Sequence, residues 1–323
     1  MTVAWLFPGQ GSQSVGMGAD VLAASEAARD VFARADAALG EALSRLVVEG
    51  PEDELTLTAN AQPAIVMTSL ALLAAIRERL PNVAPPALAA GHSLGEYSAL
   101  AAADAISLED ALRLVRRRGL AMQEAVMPGA GAMSAIMGVE AARLSMICAE
   151  AALGEVVAPA NFNAPGQIVI AGHAAAVARV NELVSAENGR AIPLKVSAPF
   201  HCALMAPAAR ALEAALDGIK LAPPRFPIVA NFDACANRDA QRIRELLVRQ
   251  VDGAVRWEES IRLMAAEGVT HAIEIGPGKV LAGLVKRITK DIRVLSVGDA
   301  ASLDRVSTFL EGAGNAGRHQ SES

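Results

Sequence analysis

The chain has 323 residues, 53% hydrophobic, 20% charged and only 3% aromatic, with a formal net charge of -6. Such a chain can bury a large core, which excludes a disordered protein, and an acidic balance without a long basic run argues against nucleic acid as the main partner. The three cysteines show no Cys-x-x-Cys spacing, and neither a basic leader nor an uninterrupted apolar stretch of spanning length is read; no disulfide framework, metal site or membrane contact is expected, and a reducing cytoplasm fits.

In chain order, Val3 to Phe7 predicts a buried strand ended by Pro8, followed by the loop Gly9-Gln10-Gly11-Ser12-Gln13-Ser14-Val15-Gly16. A dinucleotide fingerprint needs glycine where Ser14 stands and a P-loop needs lysine where Met17 stands, so phosphate binding fails on both counts. Gln10 remains, near the apex of a loop that can offer a main-chain N–H. Helical patterns follow over Ala23 to Leu39 and Ala64 to Leu80, with Pro63 in the first turn of the second and Gln62 at its mouth, as a turn residue or a pocket contact.

Ala87 to Ala90 reads as a short strand and Glu96 to Ala103 as a helix, joined by Gly91-His92-Ser93-Leu94-Gly95. This is either an ordinary glycine-rich connection or a nucleophile elbow, in which Ser93 is held strained and exposed while Leu94 N–H faces an oxyanion. Ser107 caps a helix from Leu108, whose 3.6-residue period puts Ala111, Leu114, Val115, Arg118 and Met122 on one face and turns Arg116 and Arg117 outward. A buried Arg118 needs an anion, from a structural ion pair or from a ligand.

Met127-Pro128-Gly129-Ala130-Gly131 reads as a boundary. Beyond it, strands at Met133 to Val139, Val156 to Ala160, Gln167 to Ala171 and Ala191 to Val196, with helices at Ala141 to Ala152 and Ala174 to Ala186, predict a ferredoxin-like unit over residues 127–196. Asn161 to Gln167 is its inner hairpin loop. His201, in Ser197-Ala198-Pro199-Phe200-His201-Cys202, is the best base among the five histidines by elimination, and Cys202 next to it points the other way. Strands at Pro227 to Asn231, Ala272 to Ile275 and Val294 to Val297 complete a large domain of residues 1–126 and 197–310. Residues 311–323 are expected to be a disordered tail.

Gly9-Gln10-Gly11-Ser12-Gln13, Gly91-His92-Ser93-Leu94-Gly95-Glu96, Arg118-Gly119, Asn161-Phe162-Asn163, Pro199-Phe200-His201 and Gly276-Pro277-Gly278 occur together in this order. Jointly they resemble the malonyl-CoA:acyl carrier protein transacylases of bacterial fatty acid synthesis, from Val3 to about Gly298. The resemblance implies an α/β-hydrolase-like large domain with an inserted ferredoxin-like small domain. It implies Ser93 as nucleophile, His201 as general base, the N–H groups of Gln10 and Leu94 as oxyanion hole, and Arg118 as ligand of the malonyl carboxylate. Gln250 matches the position whose main-chain carbonyl orients the histidine, Asn161 and Gln62 match pocket amides, and Phe200 matches the aromatic beside the acyl α-carbon. Malonyl-CoA and acyl carrier protein are then the partners of a monomeric enzyme without cofactor. A hydrolase, a non-catalytic carrier-binding scaffold, and a transferase loading a polyketide synthase are the rival readings.

Overall fold

The computed structural model describes residues 2–316. Its strands, in chain order, are Val3–Phe7 (β1), Leu88–Gly91 (β2), Gly131–Met137 (β3), Val157–Ala164 (β4), Gln167–His173 (β5), Arg190–Pro193 (β6), Ile228–Val229 (β7), Ala236–Asn237 (β8), His271–Ile275 (β9) and Arg293–Val297 (β10). A six-stranded sheet has the order β10-β9-β1-β2-β7-β8, parallel except for β8. Parallel strands covered by helices on both faces need continuous apolar runs. β1 shows this, with Ala4 to Phe7 all buried.

The second sheet is antiparallel, in the order β4-β5-β3-β6, and carries the helices Ala141–Ala152 and Ala174–Ala186. Alternation along its strands divides the side chains between two faces. Ile136, Ile168 and Ile170 join Leu144, Ile147, Val177 and Val180 in a separate core. Met133, Ala135 and Val169 face the other way, into a cleft against the larger sheet.

Local boundaries differ from expectation where tertiary contacts intervene. Ala23 to Leu39 is two helices, Ala19–Ala24 and Glu26–Leu39, because Ser25 is extended and its hydroxyl caps the second by accepting from Ala28 N. Pro63 is not in a first turn: its helix begins at Thr58 and runs to Arg79. Proline inside a helix removes the donor for the carbonyl four residues back. That carbonyl, Ala59 O, accepts from Arg116 Nη1 at 2.6 Å, and Gly119 lets the two helices approach so closely that a Cβ there would lie 2.8 Å from Ala59 Cα.

β4 runs on through Asn161 to Ala164 instead of ending at Ala160. Bulges absorb its irregular register, and Phe162 N and Val255 N bond across to Val255 O and Ala160 O, so the strand is tied to the segment that enters the helix Trp257–Ala266. At the other end, Arg305–Ala316 is a helix, so order continues past Glu311. Val306 is buried and Phe309 and Leu310 pack on the core, and once a helix is nucleated each added residue costs little. The rest of the expected tail, 317–323, lies outside the described residues. The helix Thr58–Arg79 is long and, on average, apolar enough to cross a membrane, although polar residues interrupt it; 89% of its most apolar window is buried inside the fold.

Candidate active site

β2 delivers the chain to the carboxyl edge of the large sheet between β1 and β7, and the helix Gly95–Ala102 carries it away. Ser93 sits between them at φ 52, in the left-handed region. For a residue with a side chain this conformation costs on the order of 1–3 kcal/mol. Gly91 makes the turn sterically feasible, since a Cβ there would lie 1.8 Å from Gly95 C. Asn231 secures it: its Oδ1 accepts from Ser93 N at 2.6 Å and its Nδ2 donates to Gly91 O at 2.7 Å. Asn231 was not foreseen from the sequence, because nothing in a lone asparagine after a strand shows which turn it will meet.

His201, also at positive φ, brings Nε2 to 2.8 Å from Ser93 Oγ. Its Nδ1 lies 2.7 Å from the Gln250 carbonyl. A carbonyl only accepts, so Nδ1 carries the proton and Nε2 offers a lone pair to the serine hydroxyl. Gln250 O is free for this because it belongs to the last turn of the helix Ala240–Asp252, where carbonyls have no helical donor. Burial, and then the nearby Arg118 charge, lower the imidazole pKa to about 3. The resting base is therefore neutral. The neighbouring Cys202 turns away and donates to Pro199 O, and burial raises its pKa to about 11.

Arg118 is 1% exposed. Among the described residues no carboxylate lies within ion-pair distance of it, which removes the structural ion pair. Its Nη2 donates to Ser93 Oγ at 3.0 Å and to Gln250 Oε1 at 2.9 Å, and its Nη1 donates to Gln62 Oε1 at 2.8 Å. Its Nε is buried without a partner. The guanidinium carbon stands 5.9 Å from the centre of the Tyr97 ring. A buried cation held by neutral acceptors, with an unused donor, is set to receive an anion. Gln62 reaches it from the second turn of the helix Thr58–Arg79, not from the helix mouth, and its own Nε2 faces Met122 Sδ at 3.6 Å.

A cleft of about 390 Å³ opens over these groups, lined among others by Gln10, Ser93, Arg118, Met133, Asn161 and Phe200. Asn161 projects into it from β4, a strand position instead of the expected loop. Neither Gln10 N nor Leu94 N has a protein acceptor among the described residues, so both N–H groups are available to an oxyanion. The Gln10 side chain anchors its loop on Thr58 Oγ1 at 3.1 Å, and Thr58 Oγ1 lies 2.8 Å from Ser197 Oγ on the segment leading to His201. Arg116 is engaged with Ala59, Asn60 and Glu41 and does not point freely outward; Arg117 is exposed.

The acyl transferase domain family matches residues 4–318 of this sequence. The chain belongs to that family. It is 48% identical over 306 residues to the malonyl CoA-acyl carrier protein transacylase of Salmonella typhimurium, covering 94% of this chain and 98% of that protein. With the Bacillus subtilis protein of the same name the identity is 46% over 318 residues, 97% and 99% of the two chains. The acyl-carrier-protein-S-malonyltransferase structure from Bartonella henselae superposes with a TM-score of 0.94 at 47% identity, covering 96% and 100%. A malonyl-transacylase solved with a type II PKS acyl-carrier protein superposes at 0.92 with 46% identity, covering 94% and 98%.

In this acyl transferase the residues expected to act together do meet: Ser93, His201, Arg118, Gln250 and Gln62 form one hydrogen-bonded cluster. Sequence reasoning missed two further members, Asn231 and Glu96. The signal for Glu96 was present: it is the one charged residue in the run from Leu94 to Ala103.

Proposed function

We propose that this acyl transferase moves malonyl from malonyl-CoA to the phosphopantetheine thiol of acyl carrier protein, as a monomer, through a malonyl-Ser93 ester and without a cofactor. Ser93 Oγ gives its proton to His201 Nε2 and attacks the thioester carbonyl. The tetrahedral oxyanion is held by Gln10 N–H and Leu94 N–H. Collapse expels coenzyme A, whose sulfur takes the proton back from the imidazolium. The carrier thiol then loses its proton to His201, attacks the ester, and leaves with the malonyl group as Ser93 regains its hydrogen. The observation that carries the malonyl reading is Arg118: buried, with no carboxylate within ion-pair distance among the described residues, and 3.0 Å from the nucleophile.

The strand order of the large sheet supports an α/β-hydrolase-like domain formed by residues 1–126 and 197–310. The β4-β5-β3-β6 order, with its two helices, supports a ferredoxin-like unit over 127–196. The cleft then lies between the two domains, in a protein of the reducing cytoplasm.

Incubation with malonyl-CoA alone should add the mass of one malonyl group to Ser93 and nothing to the Ser93→Ala variant. Stoichiometric label on Cys202 would sink the assignment.

The carrier must dock beside the cleft mouth, and carrier proteins are acidic as a class. Val280, Leu281 and Leu284 line the cleft, and their helix, Val280–Ile288, exposes Lys286 and Arg287 in its last turn. Lys290 joins them, its Nζ donating to Lys286 O. Arg116 is withdrawn from this surface by its bonds to Ala59, Asn60 and Glu41, and Arg117 lines a separate groove with Ala38 and Ile219. Reversing Lys286 and Arg287 to glutamate should raise KM for the carrier on the order of tenfold, since rim charges govern encounter. Self-acylation by malonyl-CoA should be unchanged; equal loss in both steps counts against this surface.

A further inference from the structure

Glu96 stands in the first turn of the helix Gly95–Ala102 and is 1% exposed. Its Oε2 accepts from Asn231 N at 3.0 Å and from Gln250 Nε2 at 2.8 Å. Gln250 Nε2 also donates to Ser93 O at 3.0 Å, while Gln250 Oε1 accepts from Arg118 Nη2 at 2.9 Å. The Gln250 amide thus lies between a group that only accepts and a group that only donates. Turning it over would set NH2 against the guanidinium and oxygen against the carboxylate, so the ionised Glu96 permits one orientation alone.

We propose that Glu96 is a positioning residue for acyl transfer: its buried carboxylate fixes the Gln250 amide, and through that amide the Arg118 guanidinium and the Ser93 main chain. The proposal rests on the malonyl-transfer reading given above. It also accounts for a site whose imidazole is oriented by a carbonyl and, among the described residues, touches no acid. The negative charge is present, one amide removed. That spacing has a chemical consequence, because a carboxylate in direct contact with Arg118 would occupy the edge that the substrate carboxylate needs. With an amide between them, the buried anion balances the buried cation and leaves Arg118 Nε without an acceptor among the described residues.

The arrangement holds while Glu96 is an anion. Burial raises its pKa to about 7. Of the groups facing it, Arg118 on the helix Leu108–Glu124 favours the anion and Asp233, beyond β7, opposes it. The helix Ala240–Asp252 presents the neutral amide of Gln250, and the adjacent Tyr97 a phenol whose pKa burial raises. Protonation below about pH 7 removes the buried negative charge that balances Arg118 and turns the charge-assisted bond from Gln250 Nε2 into a weaker neutral one, so the amide keeps its orientation through Arg118 and Ser93 O but is held less tightly.

The test is the single-turnover rate of Ser93 acylation by the malonyl thioester of N-acetylcysteamine, which has no titrating phosphate, between about pH 5.5 and 8.5. It is run on wild type, Glu96→Gln, Gln250→Ala and the double variant. Wild type should slow as pH falls through about 7. Glu96→Gln should be slower at high pH on the order of tenfold, and flat across this range. Gln250→Ala keeps the main-chain carbonyl for His201 and should also lose the limb, and the double variant should be no slower than the slower single one. A wild-type rate that is flat, a Glu96→Gln rate with the same limb, or single effects that multiply would each overturn the proposal. Should Glu96→Gln fail to fold, Gln250→Ala decides: retention of the limb refutes the coupling and its loss supports it. Absence of malonyl on wild-type Ser93 would overturn the malonyl reading and this proposal with it, whereas acylation indifferent to Glu96 and Gln250 overturns the proposal alone.

Discussion

Replacing His201 by alanine should slow both half-reactions by roughly a hundred- to ten-thousandfold, the range for loss of a general base. One imidazole serves both, because the incoming nucleophile is first Ser93 and then the carrier thiol, and each must reach the same carbonyl carbon. Rapid-quench measurement of acyl-enzyme formation, and separately of malonyl transfer from the isolated acyl-enzyme, tests this; loss in one step alone would require a second base. The pH dependence has a definite sign. Burial and the Arg118 charge depress the imidazole pKa to about 3, so the charged form is disfavoured and the neutral base persists as pH falls past the ordinary value of 6.5. In the Glu96→Gln background, acylation should therefore show no loss between about pH 7 and 5. Once malonyl occupies Ser93, its carboxylate offsets the Arg118 charge and the imidazole pKa rises. In the Glu96→Gln background, where the imidazole sets the acid limb, that limb should therefore lie at higher pH in the second half-reaction than in the first.

Arg118→Ala should lower kcat/KM for malonyl-CoA by ten- to about a hundred-and-fifty-fold, corresponding to about 1.5–3 kcal/mol for a charge-assisted hydrogen bond. Acetyl-CoA has no carboxylate to pair, and its transfer should hold or rise. One reason is that the substitution removes a positive charge that depresses the His201 pKa. The opposing effect is loss of the Nη2 bond to Ser93 Oγ and of the donors to Gln62 and Gln250, so the acetyl gain should be small. Phe200 narrows the same cleft; it is 8% exposed and lies next to the base in sequence. An added methyl against a packed ring costs roughly 1–3 kcal/mol, so methylmalonyl should fall well behind malonyl in the native enzyme. Phe200→Ser should narrow that gap. The measurement is kcat/KM for malonyl, methylmalonyl and acetyl thioesters with wild type and both variants. If Arg118→Ala lowers all three alike, the arginine supports the fold and not the acyl group.

The sequence by itself determined the local chemistry of this acyl transferase. The glycines around Ser93 can be read as an elbow because a tight strand-to-helix turn requires them within five residues. Arg118 can be placed on a buried face because the helical period is a local property of Leu108 to Met122. The strand and helix order of residues 127–196 also follows from patterning within each segment. What only the tertiary structure decided are the contacts between segments far apart in the chain. Asn231 and Gln250 reach Ser93 from 138 and 157 residues away, and no pattern within either segment encodes that approach. The same holds for Pro63, whose missing hydrogen bond is filled by Arg116 from another helix, and for β4, drawn past its expected end by Val255. Glu96 combines both cases. Its place as the one charged residue of its run is visible in the sequence, but its partners are not, because a buried carboxylate is compatible with many surroundings until the fold brings two specific donors to it.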